Sequence, residues 1–354
     1  MPTLKSLVDE TTNIKNELVE CYNNLFMALQ DKDVDILNSD KLPILINKVS
    51  EIIQIEGANN LPVWHDISYR NYILTGKVMP TPKYFFTASA VDNKVYCIGG
   101  YTSVHSDIGT HQCYDIIENT WDDKKAMPTP RVELTSSVVD GKIYAIGGLN
   151  SSKDVMATNQ CYDPNLNTWS SMKSITTARF GLTSSAVDGK IYVIGGSSVS
   201  NASSFLTTNQ CYDASLNTWT TKTAVSSARY RLSSSEVKGK IYAIGGYDGS
   251  YLGINECYDA NLNTWTTKKN MTTKRGLFSA STVKDCIYCV GGSTGDTTGV
   301  NQCYDTNLDV WTTKKSITSR SGLVSVSVEN KIFCIGGTSD LGATIKADNQ
   351  CYLY

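Results

Sequence analysis

Few residues in this chain have the types and spacing that chemistry at one site requires. Of the three histidines, His65 stands apart, while His105 and His111 lie on or beside one loop-like segment. Two histidines on a single loop are more typical of surface decoration than of a metal centre. Cys286 and Cys289 are spaced like half of a metal site, but strand residues three apart face opposite sides. The sequence has no nucleophile elbow, phosphate loop or HExxH motif. We therefore predict no catalytic residues, no metal and no cofactor.

Nine of the eleven cysteines recur at two fixed repeat positions, which argues against disulfides. Six of them directly precede a tyrosine, namely Cys113, Cys161, Cys211, Cys257, Cys303 and Cys351. Three share a position where other copies have Ala145 or Val193, namely Cys97, Cys289 and Cys334. Replacement by alanine or valine indicates a small buried side chain. Equivalent positions in neighbouring copies should exceed the ~7 Å limit for a bridge. We expect free thiols in a reducing compartment.

A basic residue follows each of the five repeat tryptophans by nine or ten positions. The series is Arg131, Arg179, Arg229, Arg275 and Arg320, with Lys83 in the first copy. One interpretation is structural, since a residue present in every copy can cap or pair within its own unit. The other is a positively charged ring that attracts an acidic ligand. Both remain open from the sequence.

These residues belong to a tandem repeat. The segment GKIYAIGG at residues 141–148 recurs with its glycine pair ending at Gly100, Gly148, Gly196, Gly246, Gly292 and Gly337, at intervals of 48, 48, 50, 46 and 45 residues. A fixed period of this length indicates a repeat architecture. Turn pairs such as Asp140-Gly141 precede each apolar run, and a Cys-Tyr pair and a turn-rich stretch before tryptophan follow in most copies. This pattern predicts four short strands in each unit.

The pattern resembles the kelch repeat family. The resemblance covers residues 77–354 and is specific, because the glycine pair, the tyrosine and the tryptophan recur in step. It implies a β-propeller in which each repeat forms one four-stranded blade. We therefore expect an all-β six-bladed kelch-type propeller with a small N-terminal α-helical segment.

The ring needs a strand from outside the repeats. The sixth repeat stops at Cys351-Tyr352, before its tryptophan strand, and an open edge would expose apolar residues. Residues 57–76 form the connector and the expected donor. Trp64 imitates the repeat tryptophan, but counting ten residues back from Lys83 places Ile73 in that position. We favour residues 69–75 as the closing strand.

Residues 1–56 read as two amphipathic helices for attachment or oligomerisation, by coiled coil or helical hairpin. Their apolar positions include Leu4, Leu7, Ile14, Leu18, Leu25, Leu45, Val49 and Ile52. Glu10–Asn16 and Ser39–Ile53 also resemble the N-terminal segments of tail-associated proteins from phages and prophages of Gram-positive bacteria. That resemblance implies docking to a particle. A plain helical hairpin is the alternative.

The repeats differ most after the basic position and after the glycine pair. In kelch-like propellers these loops lie on one face and line the channel mouth, and dissimilar loops on a common scaffold suggest recognition. We predict ligand contacts at Tyr84, Phe85, Glu133, Phe180, Tyr230, Arg231, Tyr247 and Tyr251.

Composition and charge fit this interpretation. A net charge of −2 gives no nucleic-acid footprint, no apolar run reaches the ~18 residues of a membrane span, and no secretory leader is visible. We expect a non-catalytic, self-associating adhesin on a phage or prophage tail particle assembled in the host cytoplasm, binding a host surface glycan or protein. The alternative is a cytoplasmic protein-interaction module. A remote alternative is a sugar epimerase, which the fold resemblance permits and which would need an arginine and a carboxylate at the axis.

Overall fold

The computed structural model describes residues 73–102, 109–340 and 344–353. In these ranges the chain forms 24 strands in six antiparallel sheets of four, and no helix. The predicted six-bladed, all-β propeller is confirmed. The predicted helices, with all the docking positions from Leu4 to Ile52, lie outside the described residues.

Each blade contains four short strands, the first lining the central axis and the fourth lying at the rim. Blade 1 is β2 (Thr87–Val91), β3 (Lys94–Ile98), β4 (His111–Asp115) and β5 (Thr120–Asp123). Blades 2 and 3 are β6 (Thr135–Val139), β7 (Lys142–Ile146), β8 (Asn159–Asp163) and β9 (Thr168–Met172), then β10 (Thr183–Val187), β11 (Lys190–Ile194), β12 (Asn209–Asp213) and β13 (Thr218–Lys222). Blades 4 and 5 are β14 (Ser233–Val237), β15 (Lys240–Ile244), β16 (Asn255–Asp259) and β17 (Thr264–Lys268), then β18 (Ser279–Val283), β19 (Cys286–Val290), β20 (Asn301–Asp305) and β21 (Val310–Lys314). Blade 6 is β22 (Val324–Val328), β23 (Lys331–Ile335), β24 (Asn349–Leu353) and, from the other end of the propeller sequence, β1 (Ile73–Gly76).

The ring closes through β1. This strand pairs antiparallel with β24 and places Ile73 opposite Tyr352. In a complete blade the tryptophan occupies that position, as Trp219 does opposite Tyr212. The register that puts Ile73 in the tryptophan position therefore agrees with the structure. Residues 69–72 of the favoured strand, and the competing Trp64, lie outside the described residues.

The repeated tryptophans join neighbouring blades. The half-buried Trp219 donates its indole N–H to the carbonyl of Lys173, at 2.7 Å, in the chain that leaves the preceding blade. Asn217 accepts the Tyr212 hydroxyl at 2.8 Å and the Lys173 backbone N–H at 2.8 Å. The tyrosine, asparagine and tryptophan of one blade thus hold it to the chain that leaves the preceding blade.

Apolar clusters fill each space between blades. One typical cluster packs Ile194 and Cys211 of blade 3 against Ile241 and Tyr258 of blade 4. The ten described cysteines are all free, and nine are buried. This agrees with the prediction of small buried side chains. Cys286 and Cys289 pack into different clusters, as expected for strand residues three apart.

The basic series is structural. The five arginines and Lys83 are fully buried. Arg131 donates to the Gly147 carbonyl at 2.7 Å and to the Gln160 side chain at 2.9 Å, and Arg229 pairs with Glu256 at 2.7 Å. The alternative of a charged ring exposed to an acidic ligand is wrong, because these side chains satisfy the carbonyls and polar groups inside their own blades.

Candidate binding site at the loop face

The two ends of the propeller carry different connections. We call the end with the tight turns, such as Asp140-Gly141, the hairpin face. We call the end with the glycine pairs and the segments between blades the loop face. Every innermost strand starts at the loop face and runs towards the hairpin face, because its first residues follow the connection from the preceding blade.

A central channel of about 450 Å³ lies between the innermost strands. Its wall is rich in small hydroxyl side chains, which hydrogen-bond from blade to blade. The Ser136 hydroxyl, for example, lies 2.8 Å from the hydroxyls of Thr87 and Ser89. Glu236, near the hairpin face, is the ionisable side chain among the lining residues. Its carboxylate accepts the N–H of Gly239.

Sequence reasoning missed these hydroxyl residues. A usable signal was present, because serine or threonine recurs at the same places in most copies, as in TSSVV and TSSAV.

At the loop face, six backbone segments form a ring around the end of the channel. The second residue after each basic position has a left-handed conformation, and its N–H donates to the carbonyl of the equivalent residue in the preceding blade at 2.6–3.0 Å. The six residues are Phe85, Glu133, Gly181, Arg231, Leu277 and Gly322. Phe85 donates to Gly322, so the bonds form a complete circle. We call these residues the axial ring.

Side chains fill the space inside the axial ring. Arg231 reaches across blade 3 to Glu133 with two hydrogen bonds, at 2.7 and 3.1 Å. Its guanidinium also lies 5.2 Å from the centre of the Phe85 ring, within cation–π range. A Cβ at Gly322 would lie 2.7 Å from the Phe85 ring, so glycine is required there. These side chains narrow the channel at the loop face, where a cavity of about 100 Å³ lies among the axial-ring residues and their neighbours.

The ion pair is electrostatically strong. Burial disfavours the charge on Arg231, but the charge and hydrogen bonds of Glu133 outweigh burial and raise the pKa of Arg231 above its ordinary value. The Arg231 side chain keeps 27% of its exposure and Glu133 keeps 8%. Solvent at the loop face therefore reaches this ion pair mainly through Arg231.

The predicted aromatic residues divide into two groups. Tyr84, Phe180 and Tyr230 are buried, with exposures of 5%, 2% and 7%. They are held by single bridges between the loops, such as Tyr230 with Tyr247. The expectation that these three contact a ligand directly is not supported by their position. They instead fill the space beneath the loops.

Three half-buried aromatic side chains remain at the surface of blades 3 and 4. Phe205 stacks on Tyr230 with ring centres 5.1 Å apart and an angle of 13°. Tyr247 lies edge-on to Tyr230 at 6.0 Å, and Tyr251 lies edge-on to Tyr247 at 5.2 Å. We call Phe205, Tyr247 and Tyr251 the aromatic patch. Tyr247 and Tyr251 were predicted, whereas Phe205 was missed although it lies in one of the dissimilar loops.

Comparison with known proteins establishes the family. The Attractin/LZTR1 beta-propeller family matches residues 60–253, more than half of the chain, and the Kelch motif matches residues 274–316. The chain belongs to the Attractin/LZTR1 beta-propeller family. No curated protein matches its sequence. Among solved structures, "Structure of YjhT" matches with a TM-score of 0.67 and 18% identity, over 77% of this chain and 95% of that one. At this identity the similarity establishes the fold alone.

Two further findings bear on this Attractin/LZTR1-type propeller. In the described ranges, no group of three or more histidine, cysteine and acidic side chains is placed to hold a metal ion. Nothing helical in the same ranges has the length and apolar character needed to cross a membrane. The expectation that the two loop histidines are surface decoration is wrong for His111, which is buried and contacts Tyr162 and Trp169. His105 lies outside the described residues.

Proposed function

We propose that this kelch propeller is a non-catalytic binding module whose ligand contacts the aromatic patch at the loop face. The observation that carries the proposal is the half-buried Phe205, Tyr247 and Tyr251 on a rigid, repetitive scaffold. Tyrosine and other aromatic side chains bury large areas at little entropic cost and are enriched in binding hot spots. Arg231, partly exposed beside Tyr230 at 4.9 Å, adds a directional donor.

The arrangement at the axis also favours binding over catalysis. An epimerase-like site would need an arginine and a carboxylate free to act on a sugar. Arg231 and Glu133 do meet at the axis, but both Glu133 oxygens accept from the guanidinium. A carboxylate held in this way is better suited to fixing the position of Arg231 than to transferring a proton.

A finer proposal places the propeller on a phage or prophage tail particle. Residues 1–56 would dock to a structural protein and self-associate, and the loop face would meet a host surface glycan or protein. The support is the N-terminal resemblance alone. The alternative is a cytoplasmic protein-interaction module, which predicts a monomeric full-length chain in solution; a symmetric multimer favours the particle.

Array binding tests the proposed surface. Wild type and the Tyr247→Ala/Tyr251→Ala variant are compared on a glycan array and on a surface-peptide array. Loss of two aromatic anchors should weaken any hit at least tenfold, since each hot spot contributes about 2 kcal/mol. Leu216→Ala, in an exposed turn at the hairpin face with 69% exposure, is the matched control and should bind like wild type. Equal signals from all three proteins would remove the aromatic patch from the proposal.

A further inference from the structure

Blade 5 departs from the repeat at the first residue of its second strand. The other five blades have lysine there, namely Lys94, Lys142, Lys190, Lys240 and Lys331, and blade 5 has Cys286. In four blades this lysine pairs with the aspartate at the end of the third strand, as Lys240 does with Asp259 at 3.2 Å. Cys286 stands opposite Asp305 and cannot form that ion pair.

A second thiol lies beside Cys286. Cys303 is two residues before Asp305 on β20, so its side chain is on the same side of the sheet, diagonal to Cys286. Cys303 belongs to an apolar cluster against which Cys286 packs. Among the ten described cysteines, Cys286 is the one that is not fully buried, whereas Cys303 is 4% exposed.

We propose that Cys286 and Cys303 are a peroxide-oxidised thiol pair that forms a disulfide between β19 and β20. Hydrogen peroxide transfers one oxygen to the Cys286 thiolate, giving sulfenic acid and hydroxide. The Cys303 sulfur then attacks the Cys286 sulfur, the S–O bond breaks, and the Cys303 proton leaves with the oxygen as water. One peroxide is reduced and two thiols are oxidised, so the electrons balance.

The positions assign the two roles. Cys286 is reached from solvent and reacts with the oxidant first. Burial raises the pKa of Cys303 to about 12, so that thiol stays protonated and unreactive until an oxidised sulfur lies beside it. Their positions on one side of the same pair of strands, in one cluster, supply a high effective concentration for the second step. Forming the disulfide, with a length of about 2.05 Å, then draws the diagonal pair together.

Peptide mapping tests the proposal on the full-length protein. The folded chain is treated with hydrogen peroxide, its remaining thiols are alkylated, and a non-reducing digest is analysed by mass spectrometry. We expect one linked peptide pair, joining Cys286 to Cys303, that a reductant separates. Cys286→Lys restores the residue of the other blades and should give no link. Oxidation of Cys286 to sulfinic acid without a link, in wild type, would overturn the proposal.

A transplant gives a matched gain of function. Lys240→Cys puts a thiol in blade 4 at the same register relative to Cys257. This variant should form a second link, between residues 240 and 257, under the same treatment. In Cys303→Ala, dimedone should trap the sulfenic acid at Cys286. Failure of the link at both blades, in proteins with unchanged melting curves, or no dimedone adduct in Cys303→Ala, would show that the diagonal geometry cannot support the bridge.

Discussion

The two ends of the central channel are built in opposite ways. At the loop face the backbone is repeated, with six left-handed residues in one hydrogen-bonded circle, and the side chains are all individual: Phe85, Glu133, Arg231, Leu277 and two glycines. Along the channel wall the side chains are mostly small hydroxyls with some alanine and valine, and Glu236 is the ionisable one. The first end is narrowed by specific contacts across the axis, and the second is a mainly polar wall made by repetition.

This difference separates scaffold from specialisation. Hydroxyl contacts such as Thr135 with Ser184 reappear between blades at the same spacing, so each serves only to join neighbours. The pair of Arg231 with Glu133 joins blades 4 and 2 and has no counterpart elsewhere in the described ring. An individual feature on a repeated frame is where we expect selection for function.

The largest effect should come from opening the ring, because both ends depend on closure. Removing residues 1–76 deletes β1 and exposes the edge of β24. We expect a loss of cooperative melting, on the order of 4 kcal/mol or more, since an apolar edge becomes exposed. Removing residues 1–56 retains β1 and is the control. Identical melting of the two truncated proteins would show that β1 does not close the propeller.

Substitution of a glycine in the axial ring tests how tightly the side chains pack at the loop face. Gly322→Ala forces a Cβ to within 2.7 Å of the Phe85 ring at a φ of +61°, and should cost about 2–4 kcal/mol by denaturant unfolding. Gly141→Ala has a similar φ of +69° but no atom within 4 Å of the new Cβ. It should cost only about 1 kcal/mol. Equal losses would mean that backbone conformation, and not packing on Phe85, sets the requirement for glycine.

The stability of blade 1 should depend on pH. Burial lowers the pKa of His111 to about 3, below its ordinary 6.5. The unfolded chain therefore takes up the proton first, so stability is complete above about pH 6.5 and falls as the pH drops towards 3. The other blades have asparagine at the position of His111. The variant His111→Asn should therefore lose about 2–3 kcal/mol less of its free energy of unfolding between pH 7 and pH 4 than wild type. Parallel pH profiles of the two proteins would contradict this account.

The smallest effect should come from the hydroxyl wall. Ser136→Ala removes a hydroxyl that contacts two others. It should lower the free energy of unfolding by about 1 kcal/mol. Between blades 6 and 1 the wall is apolar, with Val324 and Val326 packed against Ala88. Val326→Ser should cost more than Ser136→Ala, because it buries a hydroxyl in an apolar cluster. The reverse order in urea melts would show that the wall is held by something other than matched polarity.

The sequence predicted the blades because each strand, turn and tryptophan recurs in step, and even the register of Ile73 followed from counting residues. It could not predict the contacts across the axis at the loop face. Whether Arg231 meets Glu133 depends on Gly181 leaving room between them, with a Cβ there only 2.8 Å from Tyr230. It also could not tell Tyr230, which is buried, from Tyr247, which is half-buried, because both lie in dissimilar loops. Contacts across the axis have no sequence period.

Amide hydrogen exchange with a bound array hit tests the proposed binding surface most directly. We expect slower exchange in the loops that carry Phe205 and in residues 247–253, with no change in the turns of the hairpin face such as Asp140-Gly141. Protection confined to the hairpin face and to the hydroxyl wall around Glu236 would contradict the account and move the binding site to the opposite end of the channel.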